Sequence, residues 1–241
     1  MSNSPRIPTR EEYAHERLGP AFQRAISDYD TRRRLETLAG AFLPDDIIVG
    51  KTVLDVGSGL GFFSERLVER GAIVTACDLG PTLVERTRAR AGCRAVMADA
   101  LRLEETFGRN QFDVVISSEC IEHTPDPAQA IRQMMAVLRP GGYLSLSTPN
   151  LLWSPAVRFA TLIKARPYDG LENFSSWRGV RRTIESPGGV VVRECGLHLF
   201  PFQLPLHRLS AWSDRHLQFL RFAMINICVL ARKTTRSDGR R

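Results

Sequence analysis

Val53-Leu54-Asp55-Val56-Gly57-Ser58-Gly59-Leu60-Gly61 reads as a short apolar strand that runs into a glycine turn. Phe62–Arg70 follows as a helix and stops at Gly71. The same unit then repeats along the chain. Ala72–Cys77 is a second strand, and Pro81–Ala91 is a second helix with proline in its first turn. Arg94–Ala98, Phe112–Ser118 and Gly142–Thr148 are three further strands; Asp126–Leu138 is the helix before the last of them, closed by Pro140-Gly141-Gly142. Strands that alternate with helices predict an α/β fold with a parallel, doubly wound sheet and ligands at the carboxyl ends of its strands.

The flanks are less regular. The first forty residues read as helical, with Leu18, Phe22 and Ile26 and then Leu35, Leu38 and Phe42 on repeating faces. After Pro149 the rhythm is lost: 150–174 holds Trp153, Phe159, Tyr168 and Phe174 without a period. Ser175–Ser186 suggests a helix, Val190–His198 a strand, and Phe222–Ala231 a final strand; Leu199–Leu220 is apolar but broken by Pro201 and Pro205. The expected organisation is one domain over 1–232, with N-terminal helices (1–45), a ligand-binding core (50–150) and substrate-covering segments (150–220), then a flexible tail (233–241).

The chain has 241 residues and a formal charge of +7, which raises the question of a nucleic-acid partner. The position of the charge argues against one. Residues 35–157 carry 11 basic and 15 acidic side chains, so the excess lies in the flanks and the tail. Cysteines 77, 93, 120, 195 and 228 form no C-x-x-C pair, which suits reduced thiols in a cytoplasmic protein. No signal-peptide core opens the sequence, and the longest apolar run, Phe222–Ala231, is too short to span a bilayer. A homodimer is left open.

The glycine turn lets backbone approach a ligand closely, and the next helix points its N-terminus at the same place. The dinucleotide fingerprint needs a third glycine where this chain has Phe62, which weighs against a nicotinamide oxidoreductase. Asp55, inside the strand, would repel a pyrophosphate but orient a cationic ligand. Asp78, at the end of the second strand, is placed to accept ribose hydroxyls. Asp99, after the third strand, could meet an adenine amino group. The alternatives are a plain tight turn for the glycines and helix-capping or loop acids for the two aspartates.

Taken with Phe112-Asp113-Val114-Val115 and Leu138-Arg139-Pro140-Gly141-Gly142, these motifs resemble a class I S-adenosylmethionine-dependent methyltransferase over roughly residues 50–150. The resemblance implies a Rossmann-like seven-stranded sheet, mostly parallel with an antiparallel last strand. It also implies S-adenosyl-L-methionine as cofactor, held by Asp55, Gly57, Ser58, Gly59 and Gly61 at its methionine part, Asp78 and Leu79 at the ribose, and Asp99 and Ala100 at the adenine, with Glu119 nearby. Glu119-Cys120-Ile121-Glu122-His123-Thr124-Pro125-Asp126-Pro127 is similar, more narrowly, to the ubiquinone-biosynthesis O-methyltransferases, as are Ser147-Thr148-Pro149-Asn150 and Gly196-Leu197-His198. Residues 151–195 depart from that family, so its substrate is not carried over.

Glu119, Glu122 and His123 stand at i, i+3 and i+4, and would share one face of a helix. Two readings follow. The three could hold Mg²⁺ or another divalent cation, or His123 could act as a metal-free general base beside Glu122. A third, structural reading has Glu122 and His123 capping a turn before Pro125. His198, at a strand end, is a further candidate for catalysis. The expected activity is methylation of a hydroxyl on a small molecule: a sugar, glycolipid, phenol or other natural product. N- or C-methylation is the alternative. Arg178, Arg181 and Arg182 either form a solvated face or meet an anionic acceptor.

Overall fold

Along the central strands, burial alternates with period two between two apolar clusters. Val53, Val114, Ile116, Cys228 and Leu230 face one side; Leu54, Val56, Val115, Ile227, Val229 and Ala231 face the other. A sheet that buries both faces needs helices on both, which is what the computed structural model shows. It describes residues 28–162 and 170–235. The expectations for Leu18, Phe22, Ile26 and Tyr168, and for 236–241 of the tail, lie outside the described residues.

Seven strands form one sheet: β1 (Thr52–Val56), β2 (Ile73–Asp78), β3 (Arg94–Met97), β4 (Phe112–Ser118), β5 (Leu138–Pro149), β6 (Gly189–Leu197) and β7 (Asn226–Lys233). Their order is β3-β2-β1-β4-β5-β7-β6. The first five pair in parallel, while β7 runs antiparallel between β5 and β6. This is the class I methyltransferase arrangement that the sequence led us to expect. The strand order reverses beside β1, where β2 lies on one side and β4 on the other, so β1 and β4 open a crevice at their carboxyl ends.

Helix α1 (Asp28–Arg34) continues into wider π-helical turns over Leu35–Ala41 and, with α2 (Asp45–Ile48) and α3 (Phe62–Glu69), covers one face. α4 (Pro81–Ala91) packs Val84 on Ala76 and Ala95 of β2 and β3. α5 (Leu103–Phe107), α6 (Pro127–Val137) and α8 (Trp177–Glu185) cover the other face through Leu103, Ile131, Met134, Val180 and Ile184. α7 (Ser154–Leu162) and α9 (His207–His216) lie in the irregular half. Their period was hidden because apolar side chains also sit on the outer surface, Phe159 and Leu162 in α7 and Leu209 and Trp212 in α9.

Strand β5 begins at Leu138 rather than Gly142, so Pro140-Gly141-Gly142 lies within it, and two further boundaries move. The final strand starts at Asn226 rather than Phe222, because 222–224 is held as a turn: Asn150 Nδ2 donates to Phe222 O and Met224 O, and Trp153 Nε1 donates to Ala223 O. The tail does not begin at 233. Lys233 Nζ donates to Met135 O and Leu138 O, each at 2.7 Å, and Thr234 N donates to Gly188 O.

Candidate active site

The glycine turn sits at the carboxyl end of β1. Gly57, Gly59 and Gly61 all take positive φ, 72°, 53° and 82°. A Cβ on Gly57 would collide with Cys120 Sγ, and one on Gly61 would lie 2.9 Å from Thr87 Cα. The turn is thus pressed between the segment after β4 and helix α4, and glycine is required for contact as well as for conformation. Ser58 is buried, with its hydroxyl 3.1 Å from Thr87 Oγ1.

The acids below the turn have distinct settings. Asp78 accepts from Gly59 N at 2.9 Å and from Gly80 N at 3.1 Å, tying the turn to the end of β2. Leu79 and Ala100 are half-buried beside the two strand ends, and Asp99 accepts from Leu101 N at 2.9 Å. Asp55 is buried and accepts from Ser64 Oγ at 2.6 Å in the first turn of α3. Burial pushes its carboxyl up to about 7; the Ser64 hydrogen bond opposes the shift and the nearby Asp78 charge adds to it.

Beyond the turn lies a buried polar network. Ser147 Oγ and Asn226 Nδ2 each donate to Glu119 at 2.8 Å. Thr148 Oγ1 donates to Glu122 at 3.3 Å. Burial raises both carboxyls; Arg34 opposes it at Glu119, and the Glu119 charge adds to it at Glu122. Arg34, from α1, donates to Ser118 Oγ at 2.6 Å and to Asp30 Oδ2 through Nη2 at 2.9 Å. The other Asp30 oxygen meets His198 Nε2 at 3.0 Å. Burial alone would raise Asp30, but the Arg34 charge and the His198 and Arg34 hydrogen bonds outweigh it and bring the carboxyl to about 2.

His123 Nδ1 lies 2.8 Å from Leu171 O, and Nε2 lies 3.8 Å from Glu122 Oε1. Residues 171–173 cover this turn, with Asn173 N donating to Glu122 O and its side chain donating to Thr124 O.

Residues 54–146 match the methyltransferase-domain family. Over 107 residues the chain is 43% identical to the ubiquinone biosynthesis O-methyltransferase of Pseudomonas paraeruginosa, a match covering 43% of this chain and 46% of the relative. The chain therefore aligns with about half the length of that relative. The fold likeness is wider. An S-adenosylmethionine-dependent methyltransferase from Mesorhizobium loti superimposes with a TM-score of 0.63 at 20% identity, over 85% of this chain and 99% of its own. The cyclase SpnF does so with a TM-score of 0.66 at 16% identity, over 98% and 100%.

The expectation of one helical face for Glu119, Glu122 and His123 is corrected. Glu119 sits at φ 50°, in the left-handed region, and only Ile121–His123 make a single tight turn. The three side chains are drawn to separate partners: Glu119 to β5 and β7, Glu122 to β5, and His123 to Leu171. Among the described residues no three His, Cys, Asp or Glu side chains gather in a way that could hold a metal ion. As placed, Glu119, Glu122 and His123 do not converge on one point. His198 is corrected too. It is fully buried with its Nε2 on Asp30, and so holds α1 in place rather than lining an open surface. Arg181 pairs with Glu194 at 2.8 Å and with Glu185 at 3.3 Å. The sequence reading missed Arg34, Asp30, Cys120, Ser147, Thr148 and Asn226. Only Cys120, in the 119–127 run, and Ser147 and Thr148, in the 147–150 run, carried a signal.

Asp55 yields a pH prediction. Between about pH 4 and 7 the unfolded chain has lost this proton while the folded chain keeps it, so stability falls as pH rises through that window. Asp55→Asn keeps an acceptor for Ser64 and removes the ionisation. The variant is expected to melt above the parent at pH 8, by about 2–4 °C for each kcal/mol recovered, with the gap closing toward pH 4. A gap that is the same at both pH values would contradict the assignment.

Proposed function

We propose that this chain transfers the methyl group of S-adenosylmethionine to a hydroxyl of a small molecule, a sugar, glycolipid, phenol or other natural product. The observation that carries the reading is the contact of His123 Nδ1 with Leu171 O. A backbone carbonyl can only accept, so Nδ1 bears a proton and, in the neutral ring, Nε2 the lone pair. A lone pair on Nε2 suits removal of a hydroxyl proton. The name of the Pseudomonas relative supports oxygen as the acceptor atom.

The turn fits a cationic cofactor. Asp55 and Asp78 repel each other across it, a repulsion that a cation relieves and a pyrophosphate would deepen. Gly57, Ser58, Gly59 and Gly61, with Asp55, Asp78, Leu79, Asp99 and Ala100, would hold it. When bound, S-adenosylmethionine supplies a methyl group already activated on a sulfonium, so catalysis asks for alignment and proton removal rather than a covalent link to the protein. Cys120 fills the space over Gly57 and sets one wall. Glu119, fixed by Ser147 and Asn226, borders that wall. Residues 171–173 lie over His123 and leave its ring partly exposed. His123 takes the proton, and Glu122, whose carboxyl is held well up by burial and by the Glu119 charge, lies 3.8 Å from Nε2.

Fold alone does not secure methyl transfer, since a cyclase shares it. The test is a screen of hydroxyl compounds with S-adenosylmethionine, read as S-adenosylhomocysteine and a methylated product. An O-methyl product is expected. Turnover confined to amine or carbon acceptors would move the reading to N- or C-methylation. Cofactor binding with no turnover on any acceptor class would overturn it.

A further inference from the structure

Cys195 and Cys228 are far apart in sequence, and β6 and β7 bring them together. The two strands are antiparallel and in a register that sets Cys195 directly opposite Cys228. Opposed residues of such a pair have Cα atoms about 4.5 or 5.5 Å apart and side chains on the same face. A disulfide spans Cα separations of about 4.4–6.8 Å. Both cysteines lie on the face covered by α1 and α3, and both are reduced. They differ in access. β6 is the edge strand and Cys195 is half-buried, whereas Cys228 is fully buried.

We propose that Cys195 and Cys228 are a redox-modification site, a thiol pair that a hydroperoxide converts to a reversible cross-strand disulfide, with Cys195 the thiol that meets the oxidant. The Cys195 thiolate attacks the peroxide oxygen, the O–O bond breaks, and a sulfenic acid and hydroxide form. The Cys228 sulfur then attacks the Cys195 sulfur, the S–O bond breaks, and the Cys228 proton leaves with the oxygen as water. Across both steps two thiols lose two electrons and two protons, and one peroxide becomes two waters.

Local chemistry favours this order. The Cys228 S–H donates to the Cys195 sulfur and lowers its pKa; burial opposes the shift, Arg193 and Arg33 reinforce it, and Asp214 works against it. The same hydrogen bond and burial hold the Cys228 thiol well up. Burial also raises Cys77, Cys93 and Cys120, leaving them poor thiolates. Cβ atoms of opposed residues stand about 4.5–5.5 Å apart, against roughly 3.5–4.5 Å in a disulfide. The bond must therefore draw the strands together, and a strained bond of this kind is readily reduced. The pair sits beneath the network of the candidate site: Cys228 is two residues from Asn226, which holds Glu119, and Cys195 is three from His198.

The test uses the full chain and needs no turnover. The protein is treated with hydrogen peroxide, remaining thiols are blocked, and the unreduced digest is mapped by mass spectrometry. One linked peptide pair containing Cys195 and Cys228 is expected, with two of the five thiols lost and both regained in dithiothreitol. Cys228→Ser is expected to leave Cys195 as a sulfenic acid captured by dimedone, and Cys195→Ser to abolish the link. The parent map alone decides if a variant fails to fold. A link between other cysteines, oxidation of Cys195 to sulfinic acid without a link, or no loss of thiols would overturn the proposal.

Discussion

His123→Ala is expected to lower kcat by about 10²–10⁴-fold, the usual contribution of a positioned general base, with S-adenosylmethionine affinity held. The two effects separate because His123 contacts Leu171 and Glu122, whereas the glycine turn is braced by Asp78, Thr87 and Cys120. Loss of the Leu171 contact could by itself loosen the segment over the site, and His123→Asn separates the causes. Asparagine can still donate to Leu171 O but has no basic nitrogen, so it should be nearly as slow as alanine. Acceptor acidity gives a second check. A phenol near pKa 10 needs the base, while one already ionised at the assay pH should lose far less in the variant. Full turnover in both variants with cofactor bound would remove His123 from the mechanism.

Arg34→Met is expected to cost about 3–5 kcal/mol of folding stability at neutral pH, the penalty for stranding a buried charge. Arg34 is buried and donates to Asp30 and Ser118, and its charge offsets those of Glu119 and Glu122. Methionine keeps most of the volume and removes only the charge and its hydrogen bonds. In the parent, Asp30 is held at about 2, so its contribution is full above its unfolded value and fades as pH falls from about 4 through 2. Without Arg34 that contribution is gone, and the deficit measured in urea should shrink as pH is lowered from about 4 toward 2. Adding Asp30→Asn to Arg34→Met should recover part of it. A loss under about 1 kcal/mol, or one indifferent to pH, would contradict the network.

The parts legible in the sequence were those with local causes. β1, β4 and α4 begin and end where the apolar runs and the Gly or Pro punctuation place them. Asp55, the glycines and Asp78 lie within one βαβ unit, so their spacing fixes their neighbourhood. Residues 150–174 and 199–225 were opaque for the opposite reason. α7 and α9 are short, and their exposed apolar side chains erase the contrast on which periodicity depends. Glu119, Glu122 and His123 misled because their spacing suits a helix, while the left-handed backbone at Glu119 breaks it. The Asp30–His198 pair and the Cys195–Cys228 register join residues separated by most of a domain or by a strand crossing, and no local pattern marks such pairs.

The central claim is that the glycine turn takes S-adenosylmethionine. Calorimetric titration of the full chain with S-adenosylmethionine and, separately, with NAD tests it most directly. Saturable heat with the first and none with the second is predicted. Asp78→Ala, which also frees Gly59 N and Gly80 N, should weaken binding by at least about tenfold, equivalent to about 1.4 kcal/mol. Binding of NAD, no heat with S-adenosylmethionine, or unchanged affinity in Asp78→Ala would contradict the account.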